Sequence, residues 1–514
     1  MSKLTRKEFL RLGAAAAATN ALVSRAGAVA RDTSSRTSVR GSGATNTLIR
    51  GADLLTMDPT LKEMSATDVL IQNGKIADIG KDLTVGDAQV IDARGMILMP
   101  GMIDGHRHVW EIIDMGRTVK THPSEYSKYQ QWKMRTMVCL TEEDHYLAEL
   151  IGGLQAIDSG VTSIIDYSHG QPTRATGLAA ARGLRDSGIG GWFAFQLGVS
   201  SSYKPGDTVP LEAAWRERVA KTSEIHWETA AAIQKEYFSD SSAPLQFGLA
   251  PSEVTGRPVE AIKEEWARAR SMGVKLLVAH VHKPPKPAPT GTIGTRGSGI
   301  PDLHDAGLLG PDYHLAHGNH LTPDELKMLR DTDGMICATA MAESSYVIDP
   351  NRGPSVHGRA RAAGVHVGTG VDVPLAITSD YFEHVRATFQ CLYLDPESYP
   401  HIANYRSSDT LDFATALGAK AIRLGDTVGT ITVGKRADLV LLSTKRIGFG
   451  MAGTLADRVV TFANTSDIDS VWLAGRARKR NGKMIDVNWD KLKTQLVQAQ
   501  ERIGRQAATI TFTS

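Results

Sequence analysis

His106 and His108 stand one residue apart, just past the apolar run 96–103, in the stretch PGMIDGHRHVW (100–110). In a β-strand, residues i and i+2 face the same side. The pair therefore presents two imidazoles on one face, a geometry that suits a divalent metal bound through nitrogen. Other short apolar runs end in similar residues. Asp166, Ser168 and His169 close the run 162–167, His280 and His282 the run 274–280, His317 and His320 the run 313–316, and Asp372 follows 366–370. A lone histidine is usually structural. Several at the same end of successive runs point to one assembled site, because site residues gather at the C-terminal ends of parallel barrel strands.

The elements that must carry these residues alternate along the middle of the chain. Eight short apolar runs read as buried parallel strands: 97–104, 162–167, 191–197, 245–250, 274–280, 313–316, 334–339 and 366–370. Helix signals fall between them. Thr141 precedes Glu142, Glu143 and Asp144, a capped and acidic first turn, and Gly160 closes that helix. Thr322-Pro323-Asp324-Glu325 is a second such start, with proline at the first helical position. Residues 283–309, rich in Pro, Gly and Thr, read as a loop at the mouth of the site. Short β-type runs flank this middle. On one side are 47–49, 69–72 and 75–79, with an Asn73-Gly74 hairpin turn. On the other are 429–433, 438–442, 469–473 and 477–480. Both ends thus build a small β-sandwich from 45–95 and 425–485, around a barrel at 96–424, with a C-terminal helix and tail at 486–514.

With 514 residues, 42% hydrophobic and 22% charged, the chain has ordinary globular composition and room for a large enzyme domain plus a smaller one. Thr5-Arg6-Lys7-Glu8-Phe9-Leu10 resembles a twin-arginine export signal, with Lys7 where the second arginine usually stands. The small, apolar stretch 12–23 and the Ala28-Val29-Ala30 cleavage site complete an expected export segment at 1–30, followed by a flexible linker at 31–44. The expected location is periplasmic or extracellular. Residues 1–30 hold five Lys/Arg against one acid, so the basicity of the chain belongs to that segment and nothing points to nucleic acid. No long apolar span follows, so no membrane helix is expected once the segment is removed. Three distant cysteines, Cys139, Cys337 and Cys391, make no disulfide framework. The expected partner is a small-molecule substrate, with a homo-oligomer left open.

PGMIDGHRH (100–108), VAHVH (278–282), LAHGNHLT (315–322), GTGVD (368–372) and LDFATALGAKAIRLGDTVGTITVGKRADLVLL (411–442) together resemble the metal-dependent amidohydrolase superfamily. The likeness is to its branch of cytosine deaminases, chlorohydrolases and adenosylhomocysteine deaminases, and it covers residues 45–485. It implies a (β/α)8 TIM barrel with a small β-sandwich. It also implies one divalent metal, zinc first and iron second, held by His106, His108, His280 and Asp372. Histidine nitrogens and one carboxylate suit such a cation and leave a position for water. Asp372 and His317 are then the catalytic residues, with His169, His282, His320, Glu343 and Trp110 facing substrate. Two-metal members often carry a lysine at the end of strand four. LQFGLAPSE (245–253) has none, and Glu253 there reads as a surface-loop carboxylate. Deaminases of the branch usually carry a glutamate where this chain has Lys283; Glu343 in TAMAE (339–343) could supply a carboxylate instead. The implied activity is hydrolysis of a non-peptide C–N bond in a cyclic amide, amidine or amino-heterocycle. The alternatives are a lyase, isomerase or lactone-opening reaction on the same metal site, and a non-catalytic ligand-binding protein, against which the intact ligand set argues.

Overall fold

The computed structural model describes residues 46–116, 126–281, 286–346, 354–398, 400 and 405–514. The expected export segment and linker lie outside the described residues, as do His282 and Lys283. In chain order the first strands are β1 (Asn46–Leu55), β2 (Glu63–Gln72), β3 (Lys75–Gly80), β4 (Ala88–Asp92), β5 (Ile97–Pro100), β6 (Met102–Arg107), β7 (Val161–Ser168), β8 (Gly190–Gln196) and β9 (Thr208–Pro210). They continue as β10 (Leu245–Ala250), β11 (Leu277–His280), β12 (Tyr313–Ala316), β13 (Met335–Ala338) and β14 (His366–Thr369). The last are β15 (Leu439–Leu442), β16 (Ile468–Leu473), β17 (Arg476–Arg480), β18 (Lys483–Met484) and β19 (Thr511–Thr513).

Eight of these strands form one parallel sheet in the order β14-β13-β12-β11-β10-β8-β7-β6. Every residue of β6, β7, β11, β12 and β13 is buried. Both faces of a barrel strand are covered, so these strands are largely apolar and their polar residues, such as Asp104 and Arg107, are buried with partners. The sheet closes into a TIM barrel where β6 meets the residues just past β14. His108 N donates to Asp372 O at 2.8 Å, and Asp372 N donates to His106 O at 2.8 Å. Beneath this seam, Arg107 Nε donates to Asp104 Oδ2 at 2.7 Å, and Asp104 Oδ1 accepts from Val371 N at 3.0 Å. Both side chains are fully buried. The seam also needs Gly370, where a Cβ would lie 2.8 Å from both the amide nitrogen and the carbonyl oxygen of His106.

The expected first strand, 97–104, is in fact two. Ile97–Pro100 pairs antiparallel with β15 and parallel with β1 in the outer sheet, while Met102–Arg107 enters the barrel. Gly101 makes the crossing: its N–H goes to Asp438 O, and a Cβ there would stand 2.1 Å from Thr162 Oγ1. The outer sheet runs β18-β17-β16-β15-β5-β1-β2-β3, with β4 paired to β1, so both ends of the chain build it. The β2–β3 hairpin turns at Asn73 and Gly74, both at positive φ as a two-residue hairpin turn requires. The expected strand 429–433 is absent. That segment is a turn anchored by Ile431 N to Thr56 O, with the Ile431 side chain buried. The expected helix starts are present. Thr141 caps Glu142–Asp158 and Thr322 caps Pro323–Asp331, each in a reciprocal capping box. The expected loop 283–309 contains a short helix, Ile300–Asp305. No helix among the described residues is long and apolar enough to cross a membrane.

Candidate metal centre

Strand ends bring His106, His108, His280, His317 and Asp372 into one buried cluster. Ligand atoms of His106, His108 and His280 lie within 4.8 Å of one another, and so do those of His106, His317 and Asp372. His280 Nε2 faces His106 Nε2 at 3.2 Å, and Asp372 Oδ1 is 3.4 Å from Nε2 of both His106 and His108. Two of these positions have unusual backbones: His317 at φ 75° and Asp372 at φ 70°. Such strain in non-glycine residues clusters at functional sites. His317 N is fixed by Cys337 O at 2.7 Å.

The ring tautomers follow from the partners behind each imidazole. His108 Nδ1 donates to Tyr167 O at 2.9 Å, which frees Nε2 for the centre. His317 Nδ1 lies 3.0 Å from Thr339 Oγ1 and 3.4 Å from Glu343 Oε1. Glu343 also accepts from Thr339 N at 2.9 Å. Burial would raise the Glu343 carboxyl, but the hydrogen bond and charge of His317 outweigh it and hold it at about 2. Burial lowers His106 to about 4, which keeps it in the neutral form that binds metals. His108 is drawn upward despite its burial, by Asp372 and Glu111. For Asp372, burial is overcome by His317, His106 and His108, which hold its carboxyl well below the usual range. Three imidazole nitrogens and a carboxylate converging this closely are a fitting donor set for a divalent cation.

His169 stacks on His108, with ring centroids 4.3 Å apart. Trp110 stands behind His169. It is 2% exposed, and its Nε1 donates to His169 Nδ1 at 2.7 Å. Glu343 likewise stands behind His317, on the helix Ala340–Tyr346. His320, in the turn after β12, is half-buried and takes no part in the ligand cluster. Asp166 is a fully buried support: its Oδ1 accepts from Val109 N, and burial pushes it up to about 7, beside Glu149, which burial also raises. Sequence reasoning missed Tyr167, whose ring lies 4.3 Å from that of His280. It read Glu253 as a surface-loop carboxylate, whereas its Oε1 is 3.7 Å from His280 Nδ1. Glu253 sits three residues past the end of β10, a strand-end signal of the kind that marked the histidines.

Residues 97–478 match the amidohydrolase family. The chain belongs to that family. A 5'-deoxyadenosine deaminase of Methanosarcina acetivorans is 25% identical over 471 residues, covering 90% of this chain and 99% of the relative. A 5-methylthioadenosine/S-adenosylhomocysteine deaminase of Pyrococcus furiosus is 25% identical over 442 residues, covering 85% and 96%. Among solved structures, a zinc-bound adenosine deaminase of Xanthomonas campestris superposes with a TM-score of 0.75 at 16% identity, over 90% of this chain and 99% of that one. The zinc complex of an atrazine chlorohydrolase from Arthrobacter aurescens gives 0.73 at 17% identity, over 88% and 100%. This amidohydrolase shares their barrel fold.

Proposed function

We propose that this amidohydrolase hydrolyses a non-peptide C–N bond in a small cyclic amide, amidine or amino-heterocycle. His106, His108, His280 and Asp372 would hold a single divalent metal, zinc before iron. The observation that carries this reading is the convergence of those imidazoles and the Asp372 carboxylate at the closing seam of the barrel. Relatives named as deaminases, and neighbours with zinc, support the same chemistry. A divalent cation held there would supply Lewis acidity that activates a water at neutral pH. Asp372, kept ionised by the surrounding imidazoles, takes the proton from the attacking water and passes it to the leaving nitrogen. Glu343 holds a proton on His317 Nδ1 and stabilises the imidazolium, so that Nε2–H can polarise the group under attack. Lys283 replaces the glutamate usual in this branch, so turnover of cytosine, adenosine and guanine is expected to be poor.

The test is ammonia release across a panel of amino-heterocycles and cyclic amides, alongside metal analysis of the purified enzyme. We expect about one equivalent of metal, as for a closed set of ligands plus water. Asp372→Asn should abolish turnover while sparing the fold, since asparagine keeps the size but accepts no proton. Near-normal turnover in that variant would overturn the role of Asp372. Export is proposed on the Arg6-Lys7 pair, the apolar stretch 12–23 and the Ala28-Val29-Ala30 site; amino-terminal sequencing of protein from its host should find the chain beginning after Ala30.

A further inference from the structure

A cavity opens beside the metal-ligand cluster, and His169 is part of its wall. The same imidazole stacks on His108, so the cavity begins one ring away from a metal ligand. The hydrogen-bonding character of this wall is fixed. An indole N–H can only donate. Because Trp110 donates to His169 Nδ1, that nitrogen carries no proton, and the neutral ring carries it on Nε2. His169 is therefore a donor toward anything its Nε2 meets.

Two cations line the same cavity, Lys133 and Arg218. The Lys133 side chain is 8% exposed, and its ammonium makes no hydrogen bond among the described residues. Its nearest carboxylate is Glu111 Oε1 at 3.7 Å, beyond hydrogen-bond reach. Arg218 stands 3.7 Å from Glu253 Oε1 and donates to Gln130 Oε1 at 3.3 Å. Neither Glu111 nor Glu253 is part of the cavity wall. The acid that does line it, Glu217, accepts from Ser202 N with both oxygens at 3.3 Å. Two cations whose nearest carboxylates stand at 3.7 Å, and one locked donor, thus line the same cavity, against one acid already engaged. The remaining wall includes Met134, Met137, Val138 and Leu197. A buried ammonium without a hydrogen-bonded partner is costly. A ligand carboxylate would relieve that cost through charge-assisted hydrogen bonds.

We infer that this cavity seats an acidic group of the substrate: Lys133 and Arg218 bind a carboxylate there while the scissile C–N bond lies at the metal ligands. This rests on the hydrolase reading above and narrows it to cyclic amides or amino-heterocycles that carry a carboxylate on an apolar spacer.

The test is read without turnover, so its failure is separable from failure of the hydrolase reading. Benzoate and benzamide are titrated into the metal-loaded enzyme by calorimetry at constant ionic strength. We expect benzoate to bind at least ten-fold more tightly. Lys133→Met and Arg218→Gln should each weaken it ten-fold or more with metal content unchanged, while Lys133→Arg retains most of the affinity. Arg218→Gln changes a partly exposed side chain, and so stands in should Lys133→Met fail to fold. Equal affinity for the two probes would overturn the inference. So would benzoate binding that both charge-removing variants leave intact, which would place the anion at the metal. A second arm compares hydantoin-5-acetate with its methyl ester, where kcat/KM should favour the acid at least ten-fold and lose that preference in Arg218→Gln. Absence of hydrolysis with benzoate binding intact would count against the hydrolase reading alone.

Discussion

At the scale of single residues, the centre depends on groups that stand behind its imidazoles. Glu343 is the clearest. It is almost fully buried, its carboxylate lies 3.4 Å from His317 Nδ1, and Thr339 fixes it through both its backbone N–H and its hydroxyl. A buried carboxylate behind an imidazole sets the tautomer and stabilises the imidazolium form. Glu343→Gln keeps the shape and removes the charge. We expect kcat to fall about 10–100-fold, the usual cost of losing such a partner. KM and metal content should change little, because glutamine still fills the site and His317 is not one of the proposed ligands. Steady-state kinetics with metal analysis checks this. An unchanged kcat would mean that His317 needs no charged partner.

At the scale of elements, the sequence displayed what local spacing encodes. His106, His108, His280, His317 and Asp372 were legible because each follows a short apolar run, and one barrel end collects such residues. The helix starts at Thr141 and Thr322 were legible because a capping box lies within four residues. What stayed hidden depends on contacts between distant segments. Gly101 splits an apparently continuous strand because of Thr162, sixty-one positions away in the chain. Trp110 works through His169, and Glu343 through His317, and neither pairing has a sequence period. The helix Glu142–Asp158 holds a further hidden feature. His145 is fully buried and neither ring nitrogen has a hydrogen-bond partner. Burial lowers it from 6.5 to about 4. In the unfolded chain this histidine takes a proton below 6.5, whereas in the folded protein it resists until about 4. Its contribution to stability is therefore complete above 6.5 and is lost as pH falls toward 4. Urea unfolding from pH 7 to 4 should show that loss. In His145→Phe the slope should drop by up to one proton, about 1.4 kcal/mol per pH unit. An identical slope in the variant would show that other groups control acid sensitivity.

At the scale of the whole molecule, the two ends of the chain support the centre between them. β5 lies between β1 and β15 in the outer sheet, so residues near 50 and near 440 share one set of hydrogen bonds immediately before the chain enters the barrel. The last helix, Trp489–Ala507, adds a second support. Its Leu496, Ala499, Ile503 and Ala507 pack in one cluster with Trp110, Ile112 and Ile113 from the turn that follows His108. Arg502 pairs with Asp144 and donates to Cys139 O at 3.2 Å, and β19 then pairs with β9. The C-terminal segment thus steadies Trp110, which in turn fixes the tautomer of His169. Ile503 is fully buried in that cluster. Ile503→Ala removes three carbons from a packed interior and should destabilise the protein by about 2–5 kcal/mol. Because the same cluster carries Trp110, kcat/KM should also fall at temperatures well below the unfolding midpoint, with metal content unchanged. Urea denaturation followed by kinetics at 20–30 °C, a range set only by roughly ambient conditions, separates the two effects. A stability loss with kinetics intact would confine the C-terminal helix to folding, whereas both losses together would tie it to the geometry of the site.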